Sequence, residues 1–475
     1  MFALAIYDKR TNEIVLARDH AGIKPLYYHH SNELFCFASE VKAFLQINKD
    51  WPANKDWKTY FLLLGHIPEP FTTLANIFIL PKGSVLIFNI KNKQFKINKI
   101  EEDAGTQKLI ISAEEAAINL NQLLNKTVEQ HLISDAPIGL FLSGGIDSSI
   151  LTIVAQKYLG SNLHTLSIDF DETAFSEKEY QDIIIRKTGA KHQAFTVTKK
   201  IFEDSLTDII AAMDQPSNDG MNTYFISKYA KQSGLKAVLS GIGADEIFGG
   251  YPSFKKAKYI AGASIIPNSV YSLASFSPNQ KWKKLAFMKL GGIKGLYYAQ
   301  RGFYTPDEVA ILLGIDIDYV ETKLAEITTQ QFSQVATSVE EMSQYEQNNY
   351  MLNQLLKDTD YMSMWHAVEV RVPFLDKRII NYANQLSASI RFDKKLPKGL
   401  LINAFKNQLP SVIWDRPKKG FVFPFQHWMS ESTALIVNNK DLQKKHAQLK
   451  NGKLHWSRFW TYSLVSKERN SSSTW

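Results

Sequence analysis

The sequence predicts an α/β protein with a doubly wound parallel sheet, preceded by a β-rich segment and followed by a largely helical one. Between residues 137 and 240, short apolar runs alternate with helix-competent stretches, as expected for parallel strands joined by crossover helices. Glycine-rich turns follow two of these runs, at 143–145 and 240–243. The chain has 475 residues, which is enough for two or three domains with their own cores. We therefore expect a ligand site where the strands end.

The first 100 residues have the pattern of short strands and turns. Met1–Tyr7 and Glu13–Arg18 predict a hairpin, because these two runs flank the polar residues 8–12. Leu34–Ala38 and Gly83–Phe88 are further predicted strands. The polar residues 101–108 are predicted to link this part to the remainder.

From Ser112 the pattern becomes helical, and an amphipathic helix is predicted to reach about His131. The next apolar runs predict four buried parallel strands at Ile138–Leu142, Thr165–Phe170, Gln193–Val197 and Ala237–Leu239. Predicted helices alternate with them at 148–159, 177–188, 201–213 and 222–233. Residues 255–475 are predicted to be mostly helical.

The composition is that of a globular protein, with 45% hydrophobic and 21% charged residues. The net charge of +8 suits an anionic ligand, but the lysines and arginines are scattered, so we expect neither nucleic acid nor a membrane as partner. The single cysteine, Cys36, excludes an intramolecular disulfide framework and a cysteine-based zinc cluster. No charged-then-apolar leader opens the chain and no apolar run reaches about 18 residues, so a soluble, cytoplasmic protein is expected.

The most informative motif lies between the first of the four strands and its helix. Glycines let backbone N–H groups approach a ligand, and the helix start adds partial positive charge, so this turn predicts an anion site. Asp147 supplies a carboxylate suited to a hard cation such as Mg²⁺. No lysine follows the glycines, which excludes a P-loop. The motif resembles the pyrophosphate-binding SGGxDSS loop of the ATP pyrophosphatase families, which implies ATP as the ligand of Leu142, Ser143, Gly144, Gly145, Asp147, Ser148 and Ser149.

The second motif, residues 239–251, also follows a short strand and is rich in glycine. Asp245 is predicted to join Asp147 on the Mg²⁺ that bridges the triphosphate, since nucleotide sites use few carboxylates. Ser240 and Gly241 are predicted to contact ATP, and Glu246 is a predicted substrate residue.

These two loops, about a hundred residues apart, resemble those of the glutamine-dependent asparagine synthetases. Further segments extend the resemblance over nearly the whole chain. Residues 368–376 are similar to the VEARVPFLD segment of that family, and residues 416–421 to its C-terminal R-x-K element. Residues 18–28 are similar to the RDxxGxKPLYY segment of its glutaminase domain. The resemblance implies a partial glutamine amidotransferase domain of the Ntn type at residues 1–105 and a synthetase (ATP pyrophosphatase) domain at 112–470.

The resemblance implies an ATP-dependent ligase that adenylates the side-chain carboxylate of aspartate and transfers ammonia to it. Stabilising the charge on the phosphates requires N–H donors, Mg²⁺ and a lysine, and Lys418 is the family-matched lysine. Lys419 takes that role if the register shifts by one residue. Glu369 is the family-matched proton acceptor for the attacking ammonia; a buried glutamate paired with Arg371 is the alternative. The resemblance also places the adenine against Ile168.

The polar segment 214–224 lies where the family recognises its acceptor, and Asp219 and Asn222 are its predicted substrate residues. This segment is not a close match to that of established asparagine producers. Aspartate as the acceptor is therefore a hypothesis.

The main departure from the family is at the first residues. Members that use glutamine have a nucleophilic cysteine at residue two, whereas this sequence starts in the middle of the family's glutaminase domain, with Met1–Ala5. Cys36 lies in a strand pattern and is not a replacement. As written, the chain is expected to depend on ammonia, to receive it from a separate glutaminase subunit, or to be a fragment or truncated gene product. We favour the last account, because strand Met1–Tyr7 would otherwise expose an apolar edge.

Two other interpretations remain open, and a third is excluded. The chain resembles relatives that close a β-lactam ring or amidate a sugar acid, and the β-lactam-forming relatives also lack the cysteine. A non-catalytic remnant is the second alternative. A tRNA-thiolating enzyme has a similar loop but needs cysteines that this sequence does not have. A homodimer is a further possibility for the assembly.

Overall fold

The computed structural model describes residues 1–100, 108–259, 270–271, 277, 279–329, 337–393, 395–417, 420, 422–436 and 439–466. Within these residues no helix is long and apolar enough to cross a membrane. Most of the predicted linker, residues 101–107, lies outside them.

The N-terminal part contains two antiparallel sheets, ordered β1-β2-β6-β7 and β4-β3-β5. Their strands are β1 Ala3–Asp8, β2 Glu13–Arg18, β3 Tyr27–His30, β4 Phe35–Ala38, β5 Ile77–Ile79, β6 Ser84–Asn89 and β7 Gln94–Lys99. The predicted hairpin is confirmed, because β1 pairs with β2 from Ala3 opposite Arg18 to Asp8 opposite Glu13. Two short helices, α1 Phe44–Ile47 and α2 Trp57–Leu64, were not predicted.

Strand β1 forms one edge of its sheet. Its side chains are largely exposed, including Leu4, Ile6 and Tyr7, as is Phe2 just before it. An apolar edge of this kind is a template for strand pairing. Cys36 lies on β4, where burial raises the pKa of its thiol to about 11. Burial therefore favours the protonated thiol at neutral pH.

The central sheet is parallel and has the order β10-β9-β8-β11-β12. Its strands are β8 Ile138–Phe141, β9 His164–Phe170, β10 Lys191–Val197, β11 Ala237–Leu239 and β12 Glu369–Arg371. The helices around it are α3 Ala113–His131, α4 Ile146–Leu159, α5 Lys178–Thr188, α6 Lys199–Ala212, α7 Met221–Gln232, α8 Ala244–Phe248 and α9 Pro252–Ala257. From β8 the chain adds β9 and β10 on one side of the sheet, and it then adds β11 and β12 on the other side. A ligand crevice is expected between β8 and β11, where this order switches.

Local signals explain where these elements begin. Ser112 caps α3 by accepting a hydrogen bond from the Glu115 N–H, and Thr198 caps α6 in the same way. The predicted doubly wound sheet is confirmed. The fifth strand, β12, was not predicted, because it is only three residues long.

The C-terminal part is helical, as predicted. Its helices are Gln280–Lys283, Gly292–Arg301, Pro306–Leu313, Ile317–Ile327, Ser338–Tyr345, Leu356–Met364, Lys377–Gln385, Ala388–Arg391, Gly399–Phe405, Ser411–Trp414, Phe425–Glu431, Lys440–Lys450 and Trp456–Val465. A ten-residue π-helix, Glu346–Leu355, joins two of them without a break. The 3-10 helices of the chain are Val41–Ala43, Gly160–Asn162, Thr173–Phe175, Lys284–Leu290 and Pro373–Leu375.

Candidate active site

A cavity of about 320 Å³ lies at the carboxyl ends of β8, β9 and β11. Both glycine-rich loops open into it, as predicted from the strand order. The site residues predicted from the sequence that line it are Leu142, Ser143, Gly145, Asp147, Ser148, Ile168, Asp219, Asn222, Ser240, Gly241, Asp245 and Glu246. Residues from four separate segments of the sequence therefore meet at one place.

The first loop is held in shape by its own serines. The Ser143 N–H donates to the Ser148 hydroxyl oxygen at 3.2 Å, and the Gly145 N–H donates to the Ser143 hydroxyl oxygen at 3.4 Å. Gly144 has a φ of +79°, a left-handed conformation that favours glycine. The loop thus presents donors just before the N-terminus of α4, the arrangement that binds phosphate in other proteins.

The second loop lies directly against the first. A Cβ at Gly241 would be 2.8 Å from the Asp147 Cβ, so a larger residue would separate the two loops. Gly243 has a φ of +98°, and a side chain there would overlap Leu375. The glycines of this motif serve close packing between loops as well as turn geometry.

Lys398 joins the two loops electrostatically. Its Nζ lies 2.5 Å from Asp147 Oδ2 and 2.6 Å from Asp245 Oδ1, and its side chain is only 5% exposed. Burial of the ammonium group lowers the pKa of Lys398, but the charges of Asp147 and Asp245 outweigh this effect and raise it above the ordinary value. Lys398 is therefore a fixed cation beside both loops.

The backbone around Lys398 is shaped to allow its contacts with Asp147 and Asp245. Lys398 has a left-handed backbone conformation, with a φ of +56°, which is unfavourable for residues other than glycine. A Cβ at Gly250 would clash with Asp245 Oδ1 and lie 2.5 Å from Lys398 Cε. The second glycine of the Gly249-Gly250 pair is thus required by the ion pairs.

Three further carboxyl groups line the cavity, at Asp219, Glu246 and Asp358, and we call them the acidic cluster. Burial raises the pKa of Asp219, and burial together with the charge of Asp219 raises that of Asp358. Burial and the charge of Asp245 raise the pKa of Glu246 to about 7. Tyr251 donates a hydrogen bond of 2.6 Å to Glu246 Oε1. Such a concentration of carboxyl groups favours a cationic ligand or a proton acceptor role.

A divalent cation is compatible with this site. Asp147 and Asp245 both line the cavity, and each contacts the Lys398 ammonium group through one of its two carboxylate oxygens. In the part of the chain that the structure describes, no group of three or more His, Cys, Asp or Glu side chains forms a metal centre. Two carboxylates fit Mg²⁺ at a nucleotide site, where phosphates and waters supply the other ligands.

Four predicted site residues remain, of which three do not line the cavity and one lies outside the described residues. Gly144 and Ser149 belong to the first loop and its helix but do not line the cavity, and the Ser149 hydroxyl is buried. Lys418 and its neighbour Lys419 lie outside the described residues, so the predicted phosphate contact stays a prediction. The fourth residue is Glu369.

Arg416, two residues before Lys418, is against the first loop. Its Nη2 donates to the Gly144 carbonyl oxygen at 3.0 Å, and its guanidinium lies 3.5 Å from the centre of the Tyr180 ring. Glu177 accepts a further contact at 3.4 Å. The C-terminal R-x-K element therefore begins at the first glycine-rich loop.

Glu369, the expected proton acceptor, does not line the cavity in this structure. Glu369 is the first residue of β12 and pairs with Ala237, the first residue of β11, whereas the cavity lies beyond the other end of these parallel strands. Its Oε1 accepts a 2.8 Å hydrogen bond from Arg371 Nε. This contact agrees with the alternative interpretation, in which Glu369 pairs with Arg371. The Glu369 side chain is, however, 40% exposed and not buried as that interpretation expected.

The remainder of segment 368–376 is structural. Arg371 Nη1 donates to the carbonyl oxygens of His131 and Ile133, which fixes the end of α3 to the sheet. Asp376 caps the helix Lys377–Gln385 and accepts two hydrogen bonds of 2.8 Å from the Arg378 side chain.

We expect Asp376→Asn to lower the free energy of unfolding by about 1 kcal/mol at pH 7, because an ionised acceptor is lost. Burial raises the pKa of Asp376, but hydrogen bonds from Arg378 and His131 outweigh it and leave the pKa lower than usual. The unfolded state then binds more protons than the folded state near pH 4, so this stability is present above that range and is lost as the pH falls through it. Urea unfolding of both proteins at pH 7, 5 and 4 should show a shrinking difference; a constant difference would contradict the assignment.

Sequence reasoning missed three residues that line or complete the cavity: Lys398, Tyr251 and Asp358. Tyr251 was inside the second motif but had no assigned role. Lys398 is one of 55 lysines and arginines, and no local pattern distinguishes a buried lysine in a left-handed conformation. Only the fold brings it to the two loops.

The geometry defines a nucleotide-binding α/β protein, with a phosphate-type anion site at a helix start and carboxylates suited to a bound cation. A sequence profile described as asparagine synthase matches residues 119–460, and one described as glutamine amidotransferase domain matches residues 1–99. The chain belongs to the asparagine synthase family. It is thus an ATP-using ligase of the kind that forms carbon–nitrogen bonds.

Similar proteins from other organisms have the names of asparagine synthetases. Asparagine synthetase [glutamine-hydrolyzing] 1 of Bacillus subtilis is 28% identical over 464 residues, which cover 92% of this chain and 70% of that protein. A putative asparagine synthetase [glutamine-hydrolyzing] of Mycobacterium tuberculosis is 27% identical over 445 residues, 90% of this chain and 68% of that protein. Putative asparagine synthetase [glutamine-hydrolyzing] 2 of Methanocaldococcus jannaschii is 32% identical over 309 residues, 64% of this chain and 58% of that protein.

Proposed function

We propose that the chain catalyses the ATP-dependent amidation of a carboxylate, with the side-chain carboxylate of aspartate as the acceptor. The carboxylate oxygen attacks the α-phosphorus of ATP, pyrophosphate leaves, and ammonia then displaces AMP from the acyl-adenylate to give asparagine. The observation that carries the proposal is that both glycine-rich loops and the acidic cluster line one cavity. An amide ligase needs these two chemistries side by side, because it activates an acid and then delivers an amine to it.

The pyrophosphate end of the site is assigned to the first loop. Ser143, Gly145 and Ser148 offer backbone and hydroxyl donors at the start of α4, where the helix dipole adds positive potential. Lys398 adds a fixed positive charge beside both loops. Such preorganised donors and charges stabilise the negative charge that develops on a leaving pyrophosphate.

Asp147 and Asp245 are the residues that would hold Mg²⁺, which when bound neutralises phosphate charge and orients the triphosphate. Lys398 contacts one oxygen of each carboxylate and so keeps both side chains oriented toward the loops. Ile168 lies in the cavity wall on β9 and is the proposed neighbour of the adenine. Lys418 stays a proposed phosphate contact, by its match to the family.

The acceptor and the ammonia are assigned to the acidic cluster. Asp219 and Asn222 line the cavity beside Glu246 and are the proposed acceptor-binding residues. An incoming ammonium ion must lose a proton before it attacks, and carboxyl groups with raised pKa values are suited to bind it and accept the proton. We assign Glu369 no part in this step, because it pairs with the first residue of β11 and does not line the cavity.

The proposed nitrogen donor is ammonia, supplied as free ammonium or released from glutamine by a glutaminase. Burial raises the pKa of the Cys36 thiol to about 11, so Cys36 is not proposed as a glutaminase nucleophile. The proposed location is the cytoplasm, where ATP is available, and a homodimer is a possible assembly.

The test is pyrophosphate release from Mg²⁺–ATP in the presence of aspartate, with ammonium or glutamine as the nitrogen source. Turnover with ammonium, with asparagine as the product, is expected, and the rate with glutamine measures whether the protein also uses glutamine as a nitrogen source. A reaction without aspartate serves as the control. Release that does not depend on an acceptor acid, or no release with ammonium and any acid, would contradict the proposal and favour a non-catalytic protein.

A further inference from the structure

A second cavity, of about 330 Å³, adjoins the first. Asp219 and Asn222 line both, so the two cavities share a wall at the proposed acceptor-binding segment. The N-terminal part forms one side of the second cavity. It contributes Leu64, the last residue of α2, and His66, two residues further on. None of the reactions described above needs this additional volume.

Two cations line the second cavity. Arg301 is held by Glu346, with its Nε and Nη2 at 2.9 and 2.8 Å from Oε2, and it stacks 3.7 Å from the centre of the Tyr350 ring. Lys284 has one acceptor among the described residues, the Gln300 carbonyl oxygen at 3.3 Å. The second cavity is therefore positive at this end.

Two of the nearby carboxylates are already paired with cations, and the third, that of Asp219, lies at the wall shared with the first cavity. Glu346 is paired with Arg301, and Glu308 is paired with Arg458 and Lys283. Burial and the positive charges of Arg458 and Arg301 lower the pKa of Lys284 to about 8. Burial also lowers the pKa of His66 to about 3, so this ring is neutral and adds no charge. An anionic ligand group would relieve the repulsion between these cations.

Another wall of the second cavity is apolar and consists of aromatic rings. Phe423 and Phe425 are stacked, with ring centres 4.7 Å apart and planes 16° from parallel. Trp456 lies 4.9 Å from Phe425. All three rings line the second cavity. Such a wall binds flat, apolar groups through area and ring stacking.

We infer that the second cavity holds the distal part of the acceptor, and that the preferred acceptor is an aspartyl carboxylate on a larger acid with a ring and a second anionic group. This inference rests on the proposed ligase function. The reacting carboxylate lies at the shared wall near Asp219 and Asn222, the ring lies against Phe423 and Phe425, and the distal anion pairs with Lys284. Free aspartate has no ring for the aromatic wall.

The test uses L-aspartyl-L-phenylalanine as the acceptor, compared with free aspartate, with L-aspartyl-L-alanine and with the C-terminal methyl ester of the first dipeptide. The KM for aspartyl-phenylalanine is expected to be at least tenfold below that for aspartate. Loss of the ring or of the terminal charge should each raise it by about tenfold. An aspartate KM equal to or below that of the dipeptide would overturn the inference.

A charge variant tests the position of the distal anion. Lys284→Gln is expected to raise the KM for aspartyl-phenylalanine about tenfold and to leave the KM for its methyl ester unchanged. Lys281→Gln, which removes an exposed ammonium group in the neighbouring helix Gln280–Lys283, is the matched control and should change neither value. Equal effects of Lys284→Gln on acid and ester would overturn the assignment.

Calorimetric binding of the dipeptide, with a non-hydrolysable ATP analogue present, separates this inference from the ligase proposal. Binding without pyrophosphate release from ATP would support the cavity assignment and contradict the proposed reaction. Release with aspartate but no binding of the dipeptide would overturn the cavity assignment alone. Neither binding nor release would overturn both.

Discussion

Substitution of Lys398 by methionine is expected to lower the rate of pyrophosphate release at least a hundredfold. The change keeps the length of the side chain but removes the cation that contacts both Asp147 and Asp245. Removing one preorganised electrostatic group from an active site typically costs a factor of about 10² to 10³. The two carboxylates would also lose their shared partner and repel the phosphates. Release of pyrophosphate from Mg²⁺–ATP, aspartate and ammonium is the measurement.

Lys395→Met is the matched control, because Lys395 is exposed and lies three residues upstream. Loss of a buried ion pair also destabilises a protein, by about 3–5 kcal/mol where one partner remains. Lys398→Arg keeps the charge and is expected to recover part of the activity, and thermal unfolding of each variant shows whether the fold persists. A folded Lys398→Met protein with near wild-type turnover would contradict the assigned role.

Substitution of Asp147 by asparagine is expected to have an effect of similar size, at least a hundredfold, on pyrophosphate release. Asp147 belongs to the first loop, contacts Lys398 and lies against Gly241 of the second loop. The amide keeps the volume but removes the charge that a cation at the triphosphate requires. The variant should also need more Mg²⁺ for half-maximal rate, and titration of Mg²⁺ at fixed ATP measures this.

Asp135→Asn offers a control for this substitution, because Asp135 is an exposed residue just before β8. The control should retain both the rate and the Mg²⁺ requirement. If Asp147→Asn keeps its Mg²⁺ dependence and loses less than fivefold in rate, Asp147 is not a ligand of the bridging ion.

The elements that the sequence predicts well are those whose pattern is local. The four central strands and four intervening helices all have apolar runs of the appropriate length, and their observed bounds differ from prediction by a few residues. Both loops could be predicted, because glycine, serine and aspartate at this fixed spacing after a strand are compatible with few structures other than a ligand-binding turn. Strand β12 was missed because its three residues have no periodicity of their own and are fixed by pairing with β11.

The assignments that failed or were missed depend on tertiary position. Glu369 matches a family segment, yet the register of β12 places it at the far end of the sheet, and sequence alone does not give that register. Lys398 and Asp358 are recruited from the C-terminal helical part, more than a hundred residues from the second loop. Chemistry assembled from distant segments is visible only in the folded chain.

The π-helix Glu346–Leu355 makes the length of this segment more important than the identity of most of its residues. It has i to i+5 hydrogen bonds, so it contains more residues per turn than the α-helices on either side. Each residue of an α-helix turns the chain by about 100°, so loss of one residue here would rotate the following helix and carry Asp358 and Thr359 out of the cavity wall. Insertions and deletions in this segment are thus changes by which descendants of the chain would gain or lose their active site, even where every side chain that lines the cavity is kept.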